Sequence, residues 1–84
     1  MKKVVIYTTD YCPFCTKAKR LLDMKGAKYE EIDVTHDAAL REEMTKKAEG
    51  RRTVPQIFID DVPVGGCDDL YALDEQGRLE TLLS

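Results

Sequence analysis

Apolar and polar positions fall into short blocks whose period switches between two and 3.6. Lys3-Val4-Val5-Ile6-Tyr7 is β-branched and apolar almost throughout, the pattern of a strand covered on both faces. Thr8 to Tyr11 reads as a loop, and the spacing then turns helical. Cys15, Ala18, Leu21 and Leu22 share one face from about Thr16 to Lys25, while Lys17, Arg20 and Asp23 point away. Gly26 closes this helix. Lys28 to Val34 alternates in part, with Ile32 and Val34 on one side, and predicts a second strand. A second helix is expected from Ala38 to Ala48, capped by Asp37 or Thr35 and stopped by Gly50. Leu40, Met44 and Ala48 form its inward stripe, and Glu42–Lys46 and Glu43–Lys47 are favourably ordered pairs.

Thr53 to Ile59 predicts a third strand with Pro55 near its start, where a missing N–H is tolerated. Asp60-Asp61 makes a tight turn, Val62-Pro63-Val64 a fourth strand and Gly65-Gly66 a bend. Cys67-Asp68-Asp69 opens a last helix with two carboxylates in its first turn, as the dipole prefers, anchored by Leu70, Tyr71 and Leu73. Beyond Gly77, Leu79, Leu82 and Leu83 suggest a short terminal turn or helix. The order is β-α-β-α-β-β-α. The first strand pair is parallel because a helix crosses between its members, and the hairpin is antiparallel. The class is α/β, and residues 1–84 are expected to form a single domain.

Composition narrows the field. A chain 43% hydrophobic and 35% charged is expected to fold, and its apolar runs are far too short for a transmembrane helix. Met1 to Tyr7 begins as a signal peptide would, but the apolar part is short and Thr8-Thr9-Asp10 follows at once. A net charge of −3 argues against nucleic acid or an anionic membrane as the main partner. Three cysteines, two of them three positions apart, suit a reducing compartment better than a secreted disulfide scaffold. The expected location is cytoplasmic.

The candidate chemistry lies in Tyr11-Cys12-Pro13-Phe14-Cys15, at the joint between the first strand and the first helix. This placing puts Cys12 at the helix N-cap and Cys15 about one turn further in. Unpaired N–H groups and the positive end of the helix dipole converge on the Cys12 sulfur. They favour its thiolate, so its pKa should fall below the free value of about 8.5. Pro13 takes the first helical position, where its missing N–H costs nothing. Cys12 is thus the nucleophile and Cys15 the resolving thiol. A structural zinc needs four ligands. Cys67 and His36 are candidates to complete the set, but His36 sits beside Asp37 with no ligand spacing of its own, and no metal is expected. Cys67 itself reads first as a small buried hydrophobe. Its place at a helix start offers a second reading, a lowered pKa and a modifiable thiol. Tyr7, Tyr29 and Tyr71 read as core or half-core residues and Arg52 as solvated surface, while Tyr11 is a candidate to line a substrate groove.

Cys12-Pro13-Phe14-Cys15 after a short strand, Thr53-Val54-Pro55 before a third, and Gly65-Gly66-Cys67-Asp68-Asp69 after a fourth together resemble the glutaredoxins. Within that family the chain is most similar to the small bacterial dithiol type. The likeness runs the whole length, and three motifs at the right separation make it specific where one Cys-x-x-Cys would not.

The resemblance implies a thioredoxin fold, a four-stranded mixed sheet with flanking helices. It implies glutathione-dependent reduction of protein disulfides and of protein–glutathione mixed disulfides, with ribonucleotide reductase a possible client. Glutathione would be a co-substrate, no cofactor would be permanently bound, and the protein would be a monomer. The Val54–Pro55 bond would be cis, with Val54 presenting backbone groups to the cysteinyl part of glutathione. The backbone N–H of Asp68 would face the γ-glutamyl carboxylate, an Asp side chain the ammonium, and Arg51 the glycyl carboxylate. Phe14, Thr53, Pro55, Gly66, Cys67 and Asp69 complete the implied site. Thr9 stands where many glutaredoxins carry a Lys, leaving Lys17 or Lys19 as substitutes. Two rivals remain. A thioredoxin-like electron donor reduced by a flavoprotein is disfavoured by Pro13-Phe14 and by the absence of Trp. An iron–sulfur cluster carrier usually has Gly where Pro13 stands.

Overall fold

The computed structural model describes residues 2–84, so Met1, at the head of the basic N-terminal stretch, lies outside the described residues. In chain order the elements are β1 (Val4–Thr8), α1 (Pro13–Met24), β2 (Tyr29–Asp33), α2 (Ala38–Lys47), β3 (Gln56–Ile59), β4 (Val62–Gly65), α3 (Cys67–Glu75) and α4 (Leu79–Leu83). The sheet order is β2-β1-β3-β4. β1 runs parallel to β2, from Val4 opposite Tyr29 to Thr8 opposite Asp33. β3 is antiparallel to both β1 and β4. The mixed sheet expected from the sequence is therefore present, with β1 buried along its whole length.

Each face of the sheet has its own core. Val4, Ile6, Ile57 and Ile59 meet Ala18, Leu21 and Leu22 of α1, Leu70 of α3, and Leu79 and Leu83 of α4. On the opposite face Val5, Tyr7 and Phe58 meet Val34, Met44 of α2 and Ala48 just past its end. Tyr7 and Phe58 pack edge to face with ring centroids 5.6 Å apart. Each fully buried leucine here contributes about 1.5–3 kcal/mol relative to exposure. Lys25 ties the helices at the crowded face, 2.6 Å from Asp74 and 3.1 Å from Glu80.

The elements depart from the expected pattern in places. β3 starts at Gln56 and not at Thr53, because the Gln56 side-chain amide donates to the Thr53 carbonyl (2.9 Å) and hydroxyl (3.2 Å). That holds Thr53–Pro55 as a loop in front of the strand. α2 is terminated by Glu49, which adopts φ 58°, with Gly50 following in the left-handed region. β4 carries a bulge, since Ile57 pairs with Gly65 while Phe58 pairs with Pro63. The Asp60-Asp61 turn takes positive φ at both positions, as a two-residue hairpin of matching twist requires. Among the described residues no helix is long and apolar enough to cross a membrane.

Candidate active site

The loop between β1 and α1 delivers Cys12 to the helix N-cap in an extended conformation, with Pro13 next. The Cys15 backbone N–H donates to Cys12 Sγ at 3.0 Å. The two cysteines form a disulfide, their Cα atoms 5.1 Å apart, so this is the oxidised form. Cys15 is sealed under the helix at 2% exposure. Cys12 is only half-buried, and its Sγ stands 3.8 Å from the Val54 carbonyl oxygen. The Val54–Pro55 peptide is cis. On reduction, the N–H now resting on Cys12 Sγ would meet a negative charge there, at the positive end of α1.

A cleft of about 250 Å3 opens beside this pair. Phe14 of α1 lines it, as do Arg51, Thr53, Val54 and Pro55 ahead of β3, and Gly66 to Asp69 at the start of α3. Every glutathione-site residue implied by the resemblance lines this cleft, whereas Tyr11, the further candidate for a substrate groove, does not. The Tyr11 N–H donates to Asp10 Oδ1 at 2.8 Å in the loop, and the residue is 85% exposed.

One carboxylate organises the α3 side. Asp69 Oδ2 accepts from the Gly66 N–H at 2.9 Å and from Arg51 Nη1 at 3.0 Å. The Gly66 N–H first, and then Arg51, hold this carboxyl below its ordinary value against the opposing effect of burial. This is the half of a capping box that a glycine N-cap allows. Gly65 permits it: its φ is 115°, and a Cβ there would stand 2.6 Å from Arg51 Nη1. Arg51 and Asp69, implied for different parts of one ligand, thus pair with each other across the cleft. Asp68 is exposed.

Two expectations are corrected. Cys67 is 5% exposed, and burial pushes its thiol up, outweighing the Lys17 charge. The reading of Cys67 as a low-pKa thiol at a helix start therefore fails. Lys19 is no substitute for the missing lysine at Thr9, because it is 3.0 Å from Glu31. Lys17 lies over the Tyr71 ring, 4.8 Å from its centroid, and the Tyr71 hydroxyl donates to the Lys17 carbonyl at 3.1 Å. Sequence reasoning also missed Gln56, which is 1% exposed. Its signal was a lone amide inside the run Pro55-Gln56-Ile57-Phe58-Ile59. Among the described residues no group of three or more His, Cys, Asp or Glu is arranged to hold a metal ion.

A helix-capping Cys-x-x-Cys disulfide facing a cis-proline loop, on a mixed four-stranded sheet, defines a thiol–disulfide oxidoreductase of the thioredoxin fold. The glutaredoxin family model matches residues 4–64. Glutaredoxin 3 of Escherichia coli K12 is 55% identical over 83 residues, covering 99% of each chain. The solution structure of a Brucella melitensis glutaredoxin is 54% identical, with a TM-score of 0.87 over 99% of this chain and 89% of that one. A buckwheat glutaredoxin, crystallised as its glutathione complex, is 31% identical with the same TM-score of 0.87, over 95% of this chain and 74% of that one. The chain belongs to the glutaredoxin family, whose members are glutathione-dependent thiol–disulfide oxidoreductases.

Proposed function

We propose that Cys12 is the nucleophile, Cys15 the resolving thiol, and the adjoining cleft the glutathione site. The carrying observation is the asymmetry of the pair. Cys12 is only half-buried, its Sγ accepts a helix N–H and stands beside the Val54 carbonyl, whereas Cys15 is buried. The buckwheat relative, crystallised with glutathione, supports the choice of ligand.

With a glutathionylated protein, the Cys12 thiolate attacks the glutathione sulfur, the mixed disulfide breaks, and the protein leaves as its thiolate. Cys12–glutathione remains. The thiolate of a second glutathione attacks the bound glutathione's sulfur, releasing glutathione disulfide and the Cys12 thiolate. With a protein disulfide, Cys12 forms a mixed disulfide with the client, and Cys15 displaces the client to close the Cys12–Cys15 bond. Two glutathiones then reopen it. The helix terminus helps both when Cys12 attacks and when it leaves.

Within the cleft, Val54 offers its backbone to the cysteinyl portion, and the first-turn N–H of Asp68 faces the γ-glutamyl carboxylate. Asp68 or Asp69 takes the ammonium, and Arg51 takes the glycyl carboxylate. Phe14, Thr53, Pro55, Gly66 and Cys67 shape the walls. Protein disulfides and glutathionylated proteins are the clients, ribonucleotide reductase among the candidates. The protein works as a cytoplasmic monomer of one domain, with no resident cofactor.

Serine substitutions test the roles. Cys15→Ser keeps deglutathionylation and loses reduction of protein disulfides, while Cys12→Ser abolishes both. Residual turnover in Cys12→Ser would reverse the assignment.

A further inference from the structure

A second depression, of about 360 Å3, is lined by Arg41 and Thr45 of α2 and by Arg52. Arg41 Nη2 donates to the Arg52 carbonyl at 3.0 Å, which fixes the guanidinium beside the second arginine. Neither arginine takes part in an ion pair among the described residues, whereas Arg51 pairs with Asp69. Glu42 also lines the depression, but its carboxylate leans towards Lys46 at 3.9 Å. Two arginines outside any ion pair among the described residues, with one carboxylate beside them, therefore line one depression on a protein whose net charge is −3. Their place is the telling point. Arg52 sits in the chain between Arg51 and Thr53, both of which line the reaction cleft.

We infer that Arg41 and Arg52 form a docking site for acidic side chains flanking the reacting cysteine of a client polypeptide. The inference rests on the reading of Cys12 as the nucleophile. A client held at Cys12 must lay its neighbouring residues over the rim of the cleft. Val54 O is 3.8 Å from Cys12 Sγ. Arg52 precedes Val54 by two residues, so their Cα atoms are at most about 7 Å apart. An extended client strand covers the distance to the arginine head groups in about three to six residues. Carboxylates at those positions meet the planar forks that suit them. Exposed charges so placed act on encounter and register more than on the chemical step.

The test uses two glutathionylated peptides, identical except for Glu or Gln at the third to sixth positions from the cysteine. They are turned over by the wild-type protein and by Arg41→Gln/Arg52→Gln, with a mixed disulfide of glutathione and a small thiol as control. In the wild type, kcat/KM favours the Glu peptide by about threefold to tenfold at low ionic strength. The preference falls within about twofold in the variant and in high salt. Arg52→Glu, at an exposed position, turns the preference towards the Gln peptide. Control turnover is the same in all proteins. An equal Glu-to-Gln ratio in wild type and variants would overturn the docking site, as would altered control turnover in the variants, which would place the arginines in the cleft. No control turnover in the wild type would instead overturn the glutathione reading.

Discussion

Two donors converge on a single oxygen of Asp69, the Gly66 N–H and Arg51 Nη1. Because they hold its carboxyl below the ordinary 3.8, the folded state binds this proton less tightly than the unfolded chain. The stabilisation is therefore complete above the unfolded value and is lost as pH falls through the lowered folded one. Asp69→Asn should be less stable than wild type at neutral pH, and the gap should close below pH 3.8 in acid-denaturation curves. The side chain is 46% exposed, so screening keeps the gap under about 1 kcal/mol. A constant gap down to the acid limit would contradict this account. Gln56 acts on the other wall of the cleft. Gln56→Ala leaves the Thr53 carbonyl without its donor and empties a buried position, at a cost of about 1–3 kcal/mol. A lowered urea midpoint should come with a raised KM for glutathione, because Thr53 and Val54 lose their support. An unchanged KM would detach Gln56 from the site.

At the scale of elements, three helices end in the same hydrogen-bond motif, two turning at a glycine and one at a glutamate. α1 turns at Gly26, where Ala27 N–H donates to Leu22 O at 3.0 Å, and α3 at Gly77, where Arg78 N–H donates to Leu73 O at 2.9 Å. α2 turns at Glu49, with Gly50 N–H donating to Thr45 O at 2.9 Å. A left-handed conformation costs a residue with a Cβ about 1–2 kcal/mol, and glycine gives back part of the gain as entropy. Glu49→Gly should therefore stabilise by about 0.5–1 kcal/mol in urea unfolding, and no gain would remove the strain assigned to Glu49. Periodicity could not have found this, because Gly50 one position later reads equally well as a stop. The helix starts were legible, since Asp37 accepts from Leu40 N–H at 2.9 Å and Pro13 follows Cys12. The start of β3 was not, because it depends on how one amide turns.

Across the whole molecule, the parallel β1–β2 pair and the antiparallel β3–β4 hairpin were legible from crossover and turn rules, whereas the antiparallel β1–β3 pairing that joins them into one sheet was not. The membership of the cleft was legible from three motifs taken together, since Phe14, Arg51, Thr53 to Pro55 and Gly66 to Asp69 all line it, but the contacts among them were not. Cys12 and Cys15 declare themselves. Arg51 and Asp69 are 18 residues apart, and only the fold shows that they meet. Cys67, read first as a small buried hydrophobe and second as a reactive thiol, is buried in the core at the start of α3, which bears out the first reading and removes the second. What the fold assembles is a half-buried cysteine at one helix terminus and a cleft at another, joined by the cis-proline loop. The claim that this cleft takes glutathione is tested most directly by NADPH consumption on a small mixed disulfide. One reaction supplies glutathione and glutathione reductase, and the other supplies thioredoxin reductase alone. Turnover only with the glutathione system is the predicted result. Turnover only with thioredoxin reductase would contradict the account and take the glutathione roles away from Arg51, Val54 and Asp68.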